Sequence, residues 1–110
     1  MSNLDIKKFA EYLTRDRRTL EMFRYLVTNS FIRVVKYHNT APADAARFER
    51  ELSAYAKCFC PVTADALNRF YETRKWPYDK PGLIIALYDG LRNQYDVMLP
   101  LLEQYGFCGW

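Results

Sequence analysis

The sequence predicts an α/β fold with parallel strands, and three observations carry that reading. From residue 31 onward, apolar segments of strand length alternate with amphipathic segments of helix length, as in a parallel sheet layered with helices. "LIIAL", residues 83–87, is apolar on both faces, which suits a strand inside a parallel sheet rather than a half-solvated edge. "FIRVVKY", residues 31–37, is β-branched and aromatic, the composition of a strand.

The remaining elements follow from local pattern. Residues 4–28 read as helix, with an interruption near Thr14-Arg15-Asp16. Leu20, Phe23, Leu26 and Val27 keep the helical period among Arg17, Arg18, Glu21 and Arg24. "HNTAP" turns the chain after the first strand. "ADAARFERELSAYAK" places Ala45, Phe48, Leu52 and Tyr55 on one helical face. "CFCPV" is short and extended, and Thr63 is placed to cap a helix from Ala64 to about Thr73 that buries Leu67 and Phe70. "RKWPYDKPG" is a loop. After "LIIAL", residues 91–104 form a helix with Leu91, Tyr95, Met98, Leu99 and Leu102 toward the core. Pro100 kinks it and Gly106 ends it. "FCGW" begins a further strand.

Composition narrows the function classes. A chain of 110 residues, 50% hydrophobic and 16% aromatic, has the material for one packed domain and is not a disordered segment. The net charge of +3 permits an acidic partner without demanding one. Nucleic-acid binding through Arg15, Arg17, Arg18 and Arg24 therefore ranks last among the readings. No stretch is long and apolar enough to span a bilayer. "MSNLDIKKFAEYL" carries charges where a signal peptide would be apolar, so the expectation is a cytoplasmic protein without a membrane partner. Cys58, Cys60 and Cys108 are odd in number and fit reduced thiols, and "CFC" lacks the C-x-x-C spacing of zinc knuckles and redox helices. One histidine leaves no material for a Ser-His-Asp triad, and Gly82 and Gly90 fit no phosphate-binding loop.

The chemically pointed feature is the end of "LIIALYDG". In parallel α/β folds the carboxyl ends of strands carry the chemistry, and Asp89 stands at such an end, with Gly90 allowing a sharp turn. A carboxylate there can bind a metal, act as a base or cap the next helix.

"KPGLIIALYDGLRNQYDVMLPLLEQYGFCGW" resembles the first motif region of the polysaccharide deacetylases, the carbohydrate esterases of the chitooligosaccharide deacetylase (NodB-like) type. In that family a strand ends in T-F-D-D-G. A helix with a leucine-proline-leucine step follows, then Tyr-Gly and a new strand. The match runs through Leu83 to Leu87, Asp89, Gly90, Asn93, Tyr95, Leu99, Pro100, Leu101, Tyr105 and Gly106. "YHNT", Tyr37 to Thr40, resembles the Tyr-His step that ends an early family strand, and "FERELSAYAKCFCPVTADAL" resembles the segment before the first motif. The resemblance is specific from Lys80 to Trp110 and looser back to residue 31.

Residues 1–30, outside the resemblance, read as an amino-terminal helical segment; for residues 31–110 the resemblance implies part of a (β/α) barrel with few parallel strands. It implies metal-dependent hydrolysis of N-acetyl or O-acetyl groups on carbohydrate. Asp89 would be a ligand of a divalent, zinc-like metal, and His38 a possible additional ligand if its strand end meets that of Asp89. The family's base position holds Tyr88 instead of aspartate. A phenol, with a reference pKa of ~10, is a poor substitute for a carboxylate base. The family's H-x-x-x-H is absent, and His38 is the single histidine. The expectation is therefore an amino-terminal fragment or degenerate member that is inactive alone and does not hold the metal tightly. The alternative is a non-catalytic glycan-binding or interaction module, with Trp76, Tyr78 and Tyr88 as aromatics able to stack on sugar rings. Few strands also imply an open sheet around Leu83 to Leu87 and Phe107 to Trp110, and hence self-association or a partner that completes the barrel.

Overall fold

The computed structural model describes Lys8, Arg18 and residues 28–110. Lys8 and Arg18 have helical backbone, and the rest of the helical reading of residues 4–28 lies outside the described residues. The described chain runs through β1 (Ile32–Tyr37), a short 3₁₀ turn (Pro42–Asp44), α1 (Ala45–Cys58), β2 (Cys60–Pro61), α2 (Ala64–Thr73), β3 (Gly82–Leu87), a π-helical turn (Gln94–Met98) and α3 (Leu99–Gln104). The α/β expectation is met by a three-stranded parallel sheet in the order β1-β3-β2.

β3 is the middle strand. It pairs with β1 from Ile32↔Gly82 to Tyr37↔Leu87, and with β2 at Cys60↔Gly82 and Pro61↔Leu83. Beyond β2, the carboxyl-terminal residues take over the same side through a parallel bridge between Ile85 and Gly109. Trp110 N–H donates to the Ile85 carbonyl at 3.0 Å, and Leu87 N–H donates to the Trp110 carbonyl at 2.7 Å. Both edges of β3 are thus paired within the chain, and Leu83, Ile84, Ile85 and Phe107 are buried. The backbone edge of β3 is therefore not open as expected for Leu83 to Leu87, whereas within the expected stretch Phe107 to Trp110 apolar surface does stay uncovered, Trp110 being exposed beside Leu87. The strand onset expected at Phe107 begins pairing only at Gly109, because Phe107 turns into the core instead.

The two faces of the sheet are covered differently. On one, Phe48 and Leu52 of α1, Met98, Leu102 of α3 and Phe107 enclose Leu83 and Ile85. On the other, Val62 and Trp76 pack on Ile84, with Leu67 and Phe70 of α2 at the margin. The expectation that α2 buries Leu67 and Phe70 is corrected: both remain half-buried, at the margin of the Val62–Trp76–Ile84 cluster, where they line a groove with Ile32 and Val34. Thr63 does cap α2, its hydroxyl accepting the Ala66 N–H at 3.1 Å. The loop residue Trp76 is core, its indole N–H donating to the Lys80 carbonyl at 2.8 Å.

The helix after β3 departs from its expected face. Leu91 and Tyr95 are exposed, and Gln94, Met98 and Leu102 point inward. Pro100 has no N–H for the Asp96 carbonyl, and its ring crowds that carbonyl. The helix widens just before it, with Leu99 N–H reaching back five residues to the Gln94 carbonyl. That extra residue in the turn rotates the inward face relative to a regular helix. The helix closes at Gly106, whose φ of +79 suits glycine. Gly106 N–H bonds the Glu103 carbonyl and Phe107 N–H the Leu102 carbonyl, a Schellman arrangement.

Gly82 opens β3 where nothing larger fits. A Cβ there would lie 2.7 Å from Val62 Cγ2 and 2.9 Å from Trp76 Cζ2. Gly82→Ala is expected to lower stability by about 1–3 kcal/mol through overpacking, read as a lower urea midpoint with an unchanged denaturant slope.

Candidate functional site at the strand ends

The register that pairs Tyr37 with Leu87 brings the next residues, His38 and Tyr88, side by side at the carboxyl ends of β1 and β3. The ladder continues there, Tyr88 N–H donating to the Tyr37 carbonyl at 2.9 Å. The His38 and Tyr88 rings meet edge to face, with centroids 5.5 Å apart at 72°. Lys36 Nζ stands 5.8 Å from the centroid of the Tyr88 ring, within cation–π range. The imidazole thus makes a ring contact where a local hydrogen bond is the ordinary expectation for a turn histidine.

Asp89 follows in the left-handed region at φ 74, with Gly90 at φ 58. Two successive positive φ values reverse the chain at once, and Asp tolerates this better than most residues. Asp89 is exposed, and it makes no hydrogen bond or ion pair among the described residues. Capping of the next helix is therefore not its role. The backbone turn holds its carboxylate out at the strand end.

Gln94 ties the two strand ends together, and sequence reasoning missed it. It is buried on the inner side of the π-helical turn. Its side-chain amide donates to the His38 carbonyl at 2.7 Å and also to the Tyr88 carbonyl. An amide nitrogen has two N–H groups, and here each serves one strand. The signal was present in principle: Gln94 stands four residues before Met98 and eight before Leu102, on the apolar stripe.

A second polar cluster lies beside it, also unanticipated. Tyr37 donates its hydroxyl hydrogen to Glu51 of α1 at 2.5 Å, and its oxygen lies 2.8 Å from the Tyr55 hydroxyl. Burial, followed by the hydrogen bond to Glu51, holds the Tyr37 phenol proton well above the ordinary tyrosine range. The cluster borders a cleft of about 50 Å³ that also involves Asn39, Thr40, Asp44 and Arg47. Glu51 and Tyr55, four residues apart on one helix, were legible as neighbours. Their partner on β1 was not.

The donor set for a metal is short. Among the described residues no three His, Cys, Asp or Glu side chains converge on a point that could hold an ion. His38 and Asp89 lie at adjacent strand ends without a third such group, whereas a tight catalytic zinc takes about three protein ligands. The residues present do not make a complete centre. Cys58, Cys60 and Cys108 are free thiols. Of the aromatics, Trp76 is buried and Tyr78 leans on it at 4.9 Å, while Tyr88 is exposed at the strand end. Among the described residues no helix is long and apolar enough to cross a membrane.

Two outcomes follow from these contacts. Gln94→Ala leaves the carbonyls of His38 and Tyr88 short of donors and is expected to cost about 1–3 kcal/mol, with faster amide hydrogen exchange at Tyr88. The Tyr37 phenol ionises in the unfolded chain near its ordinary value of 10.0 but keeps its proton longer when folded. The folded state then binds more protons above that pH, so the Tyr37 contribution is fully present below it and is lost as pH rises. Urea midpoints measured between about pH 8 and about pH 11 should fall more steeply for the native chain than for Tyr37→Phe.

No family model matches the chain, and no curated protein matches it. Among solved structures it is similar to a Streptococcus pyogenes deacetylase, PplD, in complex with acetate. The identity is 16% and the TM-score 0.60, over 71% of this chain and 40% of that one. The match thus takes in well under half of the neighbour's length, and at this identity it is a likeness of fold. The chain shares its parallel α/β architecture with part of a deacetylase.

Proposed function

We propose that this chain supplies the amino-terminal part of a polysaccharide deacetylase-like domain, and that by itself it does not hydrolyse acetyl groups. The observation that carries the reading is the end of β3. Tyr88-Asp89-Gly90 follows β3 directly, where the sequence resemblance puts the family's first motif, and the reading is supported by a fold whose solved neighbour is a deacetylase. In this reading Asp89 is a metal-ligand position and His38, at the adjacent strand end, a second one. A divalent, zinc-like metal would supply Lewis-acid activation of water. The ligands that complete its centre come from outside the described residues, and the carbohydrate is met at the same strand ends. Tyr88 stands where a carboxylate base would accept a proton, and a phenol serves that purpose poorly. Further strands, from a partner or a second copy, would add at the outer edge of β1 or beside residues 109–110.

The test is acetate release from chitooligosaccharides and acetylated xylan with zinc or cobalt added. No turnover is expected from the chain alone, nor from Tyr88→Asp, since a restored base has no metal-activated water to deprotonate. Turnover abolished by Asp89→Ala would overturn the claim of inactivity.

A second reading, a non-catalytic glycan-binding module, is favoured by one observation. The Tyr88 ring is exposed, with His38 at its edge and Lys36 near its face. An exposed ring can stack on a sugar without any base being needed. Calorimetric titration with chitooligosaccharides should then show binding that Tyr88→Ala weakens and Asp89→Ala leaves intact. Binding indifferent to Tyr88 would remove this reading.

A further inference from the structure

In the small cleft between the end of β1 and the start of α1, polar groups outnumber their partners. Two of its residues are aromatic: the Tyr37 and Phe48 rings meet edge to face at 5.0 Å and 78°. The others are polar: Asn39, Thr40, Asp44, Arg47 and Glu51. Arg47 and Glu51 are four residues apart and so share one face of α1. Asn39, Thr40 and Asp44 come from the connection that leads from β1 into that helix.

Among the described residues, the side chains of Asn39, Thr40, Asp44 and Arg47 make no hydrogen bond or ion pair. Glu51 accepts the Tyr37 hydroxyl through Oε2, which leaves Oε1 without a protein donor. Asn39, Asp44 and Arg47 are exposed, and water serves such groups. Thr40 is different, because only 6% of it is exposed. A buried hydroxyl ordinarily finds a partner. The Thr40 hydroxyl has none in the protein, yet no unpartnered side-chain oxygen is sealed from solvent. A partner for it must therefore come from outside the protein, and the cleft is the open space that Thr40 borders.

The lining selects the chemistry of that partner. Asp44 and Glu51 want donors, Arg47 offers only donors, and Asn39 and Thr40 serve as either. A simple anion would face two carboxylates, and a simple cation would face the guanidinium. A neutral hydroxyl donates once and accepts through two lone pairs, so a pair of them satisfies both signs together. The cleft holds about 50 Å³. A water molecule takes about 30 Å³, so there is room for one or two hydroxyl groups and none for a whole sugar ring.

We propose that this cleft is a second carbohydrate contact, taking the diol edge of a sugar whose ring stays outside it. Thr40 is the buried hydrogen-bond partner, and Asp44, Arg47 and Glu51 form the charged rim. The inference deepens the carbohydrate reading above and rests on it for the ligand class, but it stands on different residues. The strand-end site uses Asp89, His38 and Tyr88, and the cleft uses none of them.

Titration of the full chain with chitotriose, followed by amide and arginine Nε–H resonances, tests this. Saturable shifts are expected at Thr40 and Arg47. Thr40→Val and Arg47→Met should each weaken that binding about fivefold, the loss of one hydrogen bond, while Thr40→Ser keeps it. Affinity for a neutral ligand should hold between about 50 mM and about 500 mM salt. No shift at Thr40 and Arg47, or shifts indifferent to Thr40→Val and Arg47→Met, would overturn the proposal. So would saturation of the cleft by inorganic phosphate or by methylammonium in place of the sugar. Shifts at Thr40 and Arg47 with none at Tyr88 and Asp89 uphold the cleft and count against sugar at the strand ends. The converse removes the cleft and leaves the strand-end reading standing.

Discussion

The constraint on which the structure depends is the position of β3 between β1 and β2. Its side chains meet apolar neighbours on both faces, and its backbone meets strands on both sides. Such a strand cannot be satisfied locally. Each unpaired buried N–H or C=O costs as much as a lost hydrogen bond, so the chain must bring partners from well before and well after it. β1 arrives from some fifty residues earlier in register, β2 covers the first residues, and the carboxyl-terminal residues cover the last. Gly82 makes the start of this packing possible, because Val62 and Trp76 occupy the space its side chain would need.

The placement of the strand ends is a consequence of that pairing. Because β1 and β3 are parallel and in register to their last residues, His38 and Tyr88 emerge together and Asp89 follows them. Gln94 then cross-ties the two ends with both hydrogens of one amide, a neutral bridge between two backbones. The π-helical turn that aims Gln94 inward is linked to Pro100, through the hydrogen bond that proline cannot make. A feature that costs the helix regularity therefore helps to position the polar group that steadies the site. On the other side of β1, the Tyr37–Glu51–Tyr55 cluster joins the strand to α1 with hydrogen bonds in place of apolar contact.

The two faces of the sheet divide the labour. The face under α1 and α3 holds the larger core, including the fully enclosed Leu52, Met98 and Leu102. The face under α2 is built on a loop tryptophan and leaves Ile32 and Val34 partly bare. Stability and strand-end geometry rest on the first face.

The sequence by itself determined the elements and the direction of the strands. Two-faced apolarity in "LIIAL" meant a buried parallel strand, Thr63 meant a helix start, and Gly106 a helix stop, because each depends on local conformational physics. The Asp89-Gly90 corner was legible for the same reason. Which residues share the site was not. His38 and Tyr88 are fifty residues apart and meet only through register. Gln94 stood on the apolar stripe, but nothing in the sequence named the two carbonyls it reaches, and Leu91 and Tyr95 left the inward face only once the turn widened. Trp76 read as a loop aromatic until Gly82 and Val62 closed over it. These are long-range choices, decided by which backbone groups and volumes find one another when the sheet assembles, and periodicity in a single segment carries no record of them.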